Sequence, residues 1–180
     1  PNHKPDPLLQ QSAFRVIGLM PSLYRLLAKY RQEEVCKWEL SHPSLQIAHQ
    51  KGRSILDSVW LQSAQAESAV SGTDRKKFCG AIIWDLANYY EFVSRGRLWE
   101  RASQLQFPMQ ILSIILSQYQ SKRIVVLEQL ASEADYPHSG IPAGCAFATF
   151  LVQVCTFGAL ARYQANHIST PLSMYIETFS

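Results

Sequence analysis

The chain has few of the residue patterns that mark metal-binding or secreted proteins. Its 180 residues include four cysteines without a CxxC pair and five histidines without HxH or HExxH spacing. Zinc sites are built from closely spaced thiols and imidazoles of these kinds. The sequence therefore predicts no zinc site, and its unpaired cysteines indicate a reduced, intracellular setting.

Long apolar runs and a basic-then-apolar leader are also missing. The longest nearly apolar stretch, AFATFLVQVCTFGALA at 146–161, is interrupted by Gln153 and two threonines. A membrane span needs about 20 consecutive apolar residues, so this stretch predicts a buried core helix, and no membrane partner is expected. Because the chain starts at Pro1 and ends within the strand-like MYIETFS, we expect it to be part of a longer protein.

The composition is that of a globular domain, with 47% hydrophobic and 17% charged residues. The net charge of +3 permits a polyanionic partner without requiring one. Residues 1–12 are polar and contain three prolines, so they predict a linker or frayed end. Residues 13–180 are predicted to form one domain.

Periodicity and punctuation predict an α+β fold with helices on one face of a mostly antiparallel sheet. The expected helices are 22–40, 55–70, 95–106, 108–119 and 145–165. The expected strands are 77–86, 122–130 and 171–179, and residues 14–20 are expected to form a strand or an extended segment. In the first helix, the residues expected to share one apolar face are Leu23, Leu26, Leu27, Tyr30 and Val35. Ser54 and Asp57 have the spacing of a capping box at the start of the second helix.

Three features could carry chemistry: Asp85 at the end of a predicted strand, the turn SGIPAGC at 139–145, and Glu177 in the last strand. Carboxylates on neighbouring strands can meet in one small volume, where hard oxygen ligands suit Mg²⁺. Two such ions can support phosphoryl transfer. Spacing alone does not decide this, because acids at strand ends are more often solvated or capping.

Five blocks of the chain, taken in order, resemble the fingers and palm of reverse transcriptases of the non-LTR retrotransposon and group II intron type. They are FRVIGLMPSLYRLLAK from residue 14, KGRSILDSVW from 51, WDLANYYEFV from 84, SGIPAGCAFATFLVQV from 139, and MYIETFS from 174. The fourth block is similar to the family's GIPQG motif, and the fifth stands where the family has YxDD. The resemblance covers residues 14–180 and implies a polymerase fingers–palm fold that is truncated before the thumb.

The resemblance implies template-directed DNA synthesis with two Mg²⁺ ions. In family terms, Asp85 and Glu177 are the catalytic metal ligands. Arg15 corresponds to the fingers arginine that clamps triphosphate oxygens, or is a surface arginine. The implied partners are an RNA template, a DNA primer and deoxynucleotide triphosphates. The implied location is the nucleus in a eukaryote and otherwise the cytoplasm.

Further residues correspond to nucleotide and template contacts. Tyr90 matches the aromatic residue beneath the incoming sugar, and its alternative role is a core ring. In the fourth block, Gly140, Pro142 and Gly144 match the turn that approaches the template–nucleotide pair, or form an ordinary loop-to-helix turn. Lys51 and Arg53 are expected to contact template phosphates. The alternative is that they belong to a charged loop without a partner.

The chain also departs from the family pattern at several positions. Glu177 carries its carboxylate on an arm one methylene longer than Asp, and Thr178 removes the second acid of YxDD. Ala143 replaces the Gln of GIPQG, and Gln50 stands where an Arg is expected. These changes predict impaired synthesis. The alternatives are a catalytically dead palm that acts as an RNA-binding or protein-interaction module, and an unrelated α+β domain.

Overall fold

The protein is an α+β domain that is mostly helical, as seen in a computed structural model. The structure describes residues 18–44, 47, 50, 52, 54–71, 86, 88–127, 129–142, 144–167, 172 and 174. The helices in these ranges are α1 (Ser22–Ser41), α2 (Ile55–Ser71), α3 (Arg95–Gln104), α4 (Met109–Tyr119) and α5 (Ala148–Asn166). The strands are β1 (Val126–Leu127) and β2 (Leu130–Ala131). The predicted strand 77–86, apart from Leu86, and most of 14–20 and 171–179 lie outside the described residues.

The first helix begins where Pro21 predicts, but it buries a different face from the one expected. Leu23, Leu26 and Tyr30 are exposed, so the predicted apolar face was wrong at these three positions; Leu27 is half-buried and Val35 is fully buried. The side chains of α1 that enter the core are Tyr24, Ala28, Val35 and Trp38. These follow an i, i+4, i+11, i+14 spacing, which is an equally regular helical stripe.

The start of α2 has the expected capping box. The carboxylate of Asp57 accepts a hydrogen bond from the Ser54 backbone N–H at 2.7 Å, and the Ser54 hydroxyl accepts one from the Leu56 N–H at 3.2 Å. Two donors that the helix leaves unpaired are thereby satisfied. None of the described α2 side chains is buried, so local capping, rather than the core, supports its first turn.

The connection between α3 and α4 is a tight C-terminal cap. Gln106 takes a positive φ of 52°, the Phe107 N–H bonds to the Ala102 carbonyl at 2.9 Å, and the Gln106 N–H bonds to Ser103 at 3.2 Å. This is the Schellman pattern, which usually places a glycine at the left-handed position. Pro108 follows and separates the two helices, as the sequence predicts.

The core lies between α1, α3, α4 and α5, where α3 packs against both α4 and α5. Trp38 of α1 donates its indole N–H to the Leu105 carbonyl at 2.8 Å and lies edge-on to Phe107. Gln153 of α5 donates to the buried Glu39 carboxylate at 2.7 Å. The stretch predicted as a buried core helix is therefore confirmed as one. No helix in the described part of the chain is both long and apolar enough to cross a membrane.

The predicted strand 122–130 folds back on itself as a hairpin. Val126 pairs with Ala131 and Leu127 with Leu130, and an isolated bridge joins Arg123 to Asp135. All four strand residues are exposed. Within the described residues, the helices pack on one another and leave this two-stranded sheet exposed; most of the other predicted strands lie outside the described residues.

Candidate functional site

Two of the blocks that resemble the polymerase family meet in the structure. We call residues 88–93 the Tyr90 turn and residues 137–142 the Gly140 loop. The Gly140 N–H donates to the Val93 carbonyl at 2.9 Å, and the Ile141 N–H donates to the Tyr90 carbonyl at 2.8 Å. The Ser139 hydroxyl adds a bond to the Glu91 carbonyl at 3.2 Å. Segments about 50 residues apart are thereby joined mainly through their backbones.

The Tyr90 turn is itself shaped by a left-handed residue. Asn88 has a φ of 53°, and its carbonyl accepts hydrogen bonds from the N–H groups of Glu91 and Phe92. Asparagine is one of the few non-glycine residues that adopt this conformation readily. The turn leaves Tyr89 and Tyr90 half-buried against the core and Glu91 exposed. Tyr90 thus contacts the core and also retains accessible surface.

Gly140 is required by the contact between the two segments. Its φ is +84°, and a Cβ atom placed on it would lie 2.9 Å from the Glu91 carbonyl oxygen and 3.1 Å from the Glu91 Cα. The close approach that this glycine permits is therefore to the Tyr90 turn. Gly144, by contrast, is exposed and has a φ of +93°. Pro142 is buried and its carbonyl accepts the Cys145 N–H at 3.2 Å.

Arg95, which the sequence patterns did not single out, holds the Gly140 loop. Its Nη1 donates to the Pro137 carbonyl at 2.6 Å, its Nη2 to Ser139 at 2.7 Å, and its Nε to Gly140 at 3.2 Å. Burial, with a further contribution from the nearby Arg123, lowers the pKa of Arg95. One feature of the sequence could have identified Arg95: it is the first residue of α3, a position where the helix dipole disfavours a cation.

A buried polar cluster lies behind the site. The Tyr24 hydroxyl lies 3.1 Å from the Cys145 sulfur, which joins α1 to the residue after Gly144. Burial raises the pKa of Tyr24 well above its usual range, and the neighbouring Cys145 adds to this. Burial also raises the pKa of Tyr119 well above 10, with contributions from Cys145 and Tyr24. Both phenols therefore stay neutral in the folded chain far into the alkaline range.

This cluster predicts a loss of stability at alkaline pH. The phenols ionise near pH 10 in the unfolded chain but at a higher pH in the folded chain. Their contribution to the free energy of unfolding is therefore complete below pH 10 and decreases as the pH rises above it. We expect Tyr24→Phe to reduce this fall by up to about 1.4 kcal/mol per pH unit. Urea unfolding at pH 9, 10 and 11 measures it. Tyr30→Phe, at an 80% exposed position, is the control. An unchanged slope in Tyr24→Phe would contradict the prediction.

Other basic and polar residues near the blocks have structural partners. Arg123 donates to the Tyr119 carbonyl at 3.1 Å, so it caps the end of α4. Lys122 lies over the Tyr136 ring at 5.4 Å. Gln50, which stands where an Arg was expected, is buried; it accepts from the Ser44 N–H at 2.8 Å and donates to the His42 carbonyl at 3.0 Å. Gln50 therefore closes the loop after α1.

The remaining predicted site residues lie outside the described residues. They are Arg15, Lys51, Arg53, Asp85 and Glu177. Ile47, four residues before the second block, forms a parallel bridge with Met174, the first residue of the fifth block. Within the described ranges, no three His, Cys, Asp or Glu side chains cluster as a metal ion would require.

Comparison with known proteins identifies no relative: no protein-family model, curated protein or solved structure matches this chain.

Proposed function

We propose that the chain is the fingers and palm region of a reverse transcriptase of the non-LTR retrotransposon or group II intron type, with impaired activity in this copy. The observation that carries the proposal is the contact between the Gly140 loop and the Tyr90 turn. In the resemblance, both blocks contribute residues to the nucleotide site. A chance match between separate stretches of sequence does not require them to lie together.

The proposed role of each residue comes from the resemblance. Tyr90 is half-buried against the core, and its proposed role is the ring that lies beneath the sugar and clashes with a 2′-hydroxyl. Gly144, exposed and left-handed, offers backbone without a Cβ to the template–nucleotide pair. Gly140 and Pro142, which the resemblance also assigns to nucleotide binding, are buried.

The remaining roles belong to residues outside the described ranges. Asp85 and Glu177 would hold two Mg²⁺ ions, which supply charge neutralisation at the phosphates. Arg15 would bind triphosphate oxygens, and Lys51 and Arg53 would bind template phosphates. In the reaction, the primer 3′-oxygen forms a bond to the α-phosphorus, pyrophosphate leaves with the electrons of the broken P–O bond, and the hydroxyl proton passes to water.

A catalytically dead palm that binds RNA or protein is the second candidate, and the fifth block favours it. Glu177 and Thr178 stand where the family has two aspartates. Near-octahedral Mg²⁺ tolerates little displacement of its ligands. A shift of about one ångström can reduce a rate about a hundredfold.

Primer extension on an RNA template tests the proposal. The full natural protein would be assayed with Mg²⁺ and with Mn²⁺, beside Asp85→Ala and the double variant Glu177→Asp/Thr178→Asp. We expect slow extension by the unaltered protein, none by Asp85→Ala, and roughly hundredfold faster extension by the double variant. Glu67→Ala, which removes an exposed acid from α2, is the matched control and should extend normally.

The outcomes separate the candidates. Extension by the double variant alone would establish the scaffold as a polymerase and this copy as catalytically dead. Extension that survives Asp85→Ala would point to another source of activity and contradict the assignment. If neither the unaltered protein nor the double variant extends a primer, the proposed function is overturned.

A further inference from the structure

Arg95 lies at a helix position where a positive charge is unfavourable. It is the first residue of α3, where the positive end of the helix dipole repels a cation. Its guanidinium is also partly removed from water, and this burial lowers the Arg95 pKa. A cation in such a place needs compensation from tertiary contacts. The three carbonyls of Pro137, Ser139 and Gly140 provide it, since each accepts a hydrogen bond from a different nitrogen of the guanidinium.

The geometry of these contacts is specific to arginine. A planar guanidinium presents its donors in a fixed fork, whereas the lysine ammonium has a single donor atom on a flexible stem. The Arg95 guanidinium also lies over the Tyr119 ring, 5.7 Å from its centroid, on the side of the buried polar cluster. Arg95 is therefore held by α4 on one side and holds the Gly140 loop on the other.

The loop that Arg95 holds is the one that contacts the Tyr90 turn. With the carbonyls of residues 137, 139 and 140 fixed on Arg95, the N–H groups of Gly140 and Ile141 face the Val93 and Tyr90 carbonyls. These bonds join the two blocks that form the proposed nucleotide pocket. The three hydrogen bonds that the Arg95 guanidinium donates to Pro137, Ser139 and Gly140 all go to backbone carbonyls of this loop.

We propose that Arg95 is a positioning residue that locks the Gly140 loop onto the Tyr90 turn and thereby sets the affinity for the incoming nucleotide without touching it. The part that concerns the nucleotide rests on the proposed function. The part that concerns the loop does not, because the hydrogen bonds of Gly140 and Ile141 can be measured directly.

The first measurement is hydrogen exchange at the Gly140 and Ile141 amides. We expect Arg95→Ala and Arg95→Lys to accelerate exchange at both amides at least about tenfold, because local opening becomes easier. Arg97→Ala is the matched control: it removes the same charge from an exposed side chain of the same helix and should leave these amides unchanged. Dilute guanidinium, but not ammonium, should slow exchange again in Arg95→Ala. Unchanged exchange in both Arg95 variants would overturn the proposal.

The second measurement is nucleotide-dependent extension, made in the Glu177→Asp/Thr178→Asp background. We expect Arg95→Lys to raise KM for the nucleotide about tenfold and to leave kcat within about twofold, the pattern of lost ground-state binding. Faster amide exchange in Arg95→Lys together with an unchanged KM would overturn the proposed role of Arg95 in nucleotide affinity. If no variant extends a primer, the proposed function and the nucleotide role fail together, while faster exchange still supports the clamp on the loop.

Discussion

Replacing Leu98 with Ala is expected to lower the free energy of unfolding by about 3 kcal/mol, within the range of 2–5 kcal/mol for buried leucines. Leu98 is fully buried on α3, the helix that packs against both α4 and α5. Removing its branched end costs the transfer free energy of the lost methyl groups and leaves a cavity between three helices. Those helices cannot all move inward, because other buried side chains hold them apart.

Urea denaturation of Leu98→Ala beside Leu23→Ala measures this. Leu23 is 82% exposed on α1, so the same chemical change should cost less than about 0.5 kcal/mol there. The pair also tests the orientation of α1, since the sequence pattern placed Leu23 on the buried face. Equal losses from the two variants would contradict the structure and restore the face that the sequence predicted.

The helices were predictable because their signals are local. Pro21 and Pro108 mark two helix starts, and the Ser54–Asp57 pair marks a third. Such signals act within one turn of the chain, so they hold whatever the rest of the fold does. The predicted bounds of α1 to α4 agree with the structure to within two residues, and α5 starts three residues later than expected.

The packing of these helices could not be predicted in the same way. Helix α1 carries two regular apolar stripes, one through Leu23, Leu26 and Tyr30 and the other through Tyr24, Val35 and Trp38. Periodicity cannot choose between them, because the choice depends on what the rest of the chain presents. Trp38 is fixed by a carbonyl at the end of α3, a contact between residues 67 positions apart.

The residues of the candidate site also divide into those that a local sequence block marks and those that only distant contacts define. Gly140 and Tyr90 belong to blocks that the resemblance relates, and the structure joins those two blocks by hydrogen bonds; the role of these residues in nucleotide binding stays a prediction. Arg95 was not predicted, because its three partners lie more than 40 residues away and no motif includes it. The hairpin was missed for another reason: residues 122–130 contain no glycine or proline to mark the reversal.

Gly140→Ala is expected to destabilise the fold by about 2–4 kcal/mol. Left-handed backbone costs an L-residue about 1–2 kcal/mol. The remainder comes from the contact with the Tyr90 turn, because the new Cβ would lie 2.9 Å from the Glu91 carbonyl oxygen and 3.1 Å from that of Tyr90. Both are backbone atoms, so they cannot rotate away as a flexible side chain would. The loop must instead withdraw and release the hydrogen bonds of Gly140 and Ile141.

Two other glycines allow the backbone contribution to be measured separately from the steric contribution. Gly52 has a φ of +86°, and no atom of the described residues lies within 4 Å of the position of its missing Cβ, so Gly52→Ala should show only the backbone penalty of about 1–2 kcal/mol. Gly96, in the first turn of α3, has open space and no positive φ, so Gly96→Ala should be neutral or stabilise by up to about 1 kcal/mol. Urea unfolding of the three variants gives the order. A loss in Gly140→Ala no larger than in Gly52→Ala would mean that the Gly140 loop does not press against the Tyr90 turn, and would remove the observation on which the proposed nucleotide pocket depends.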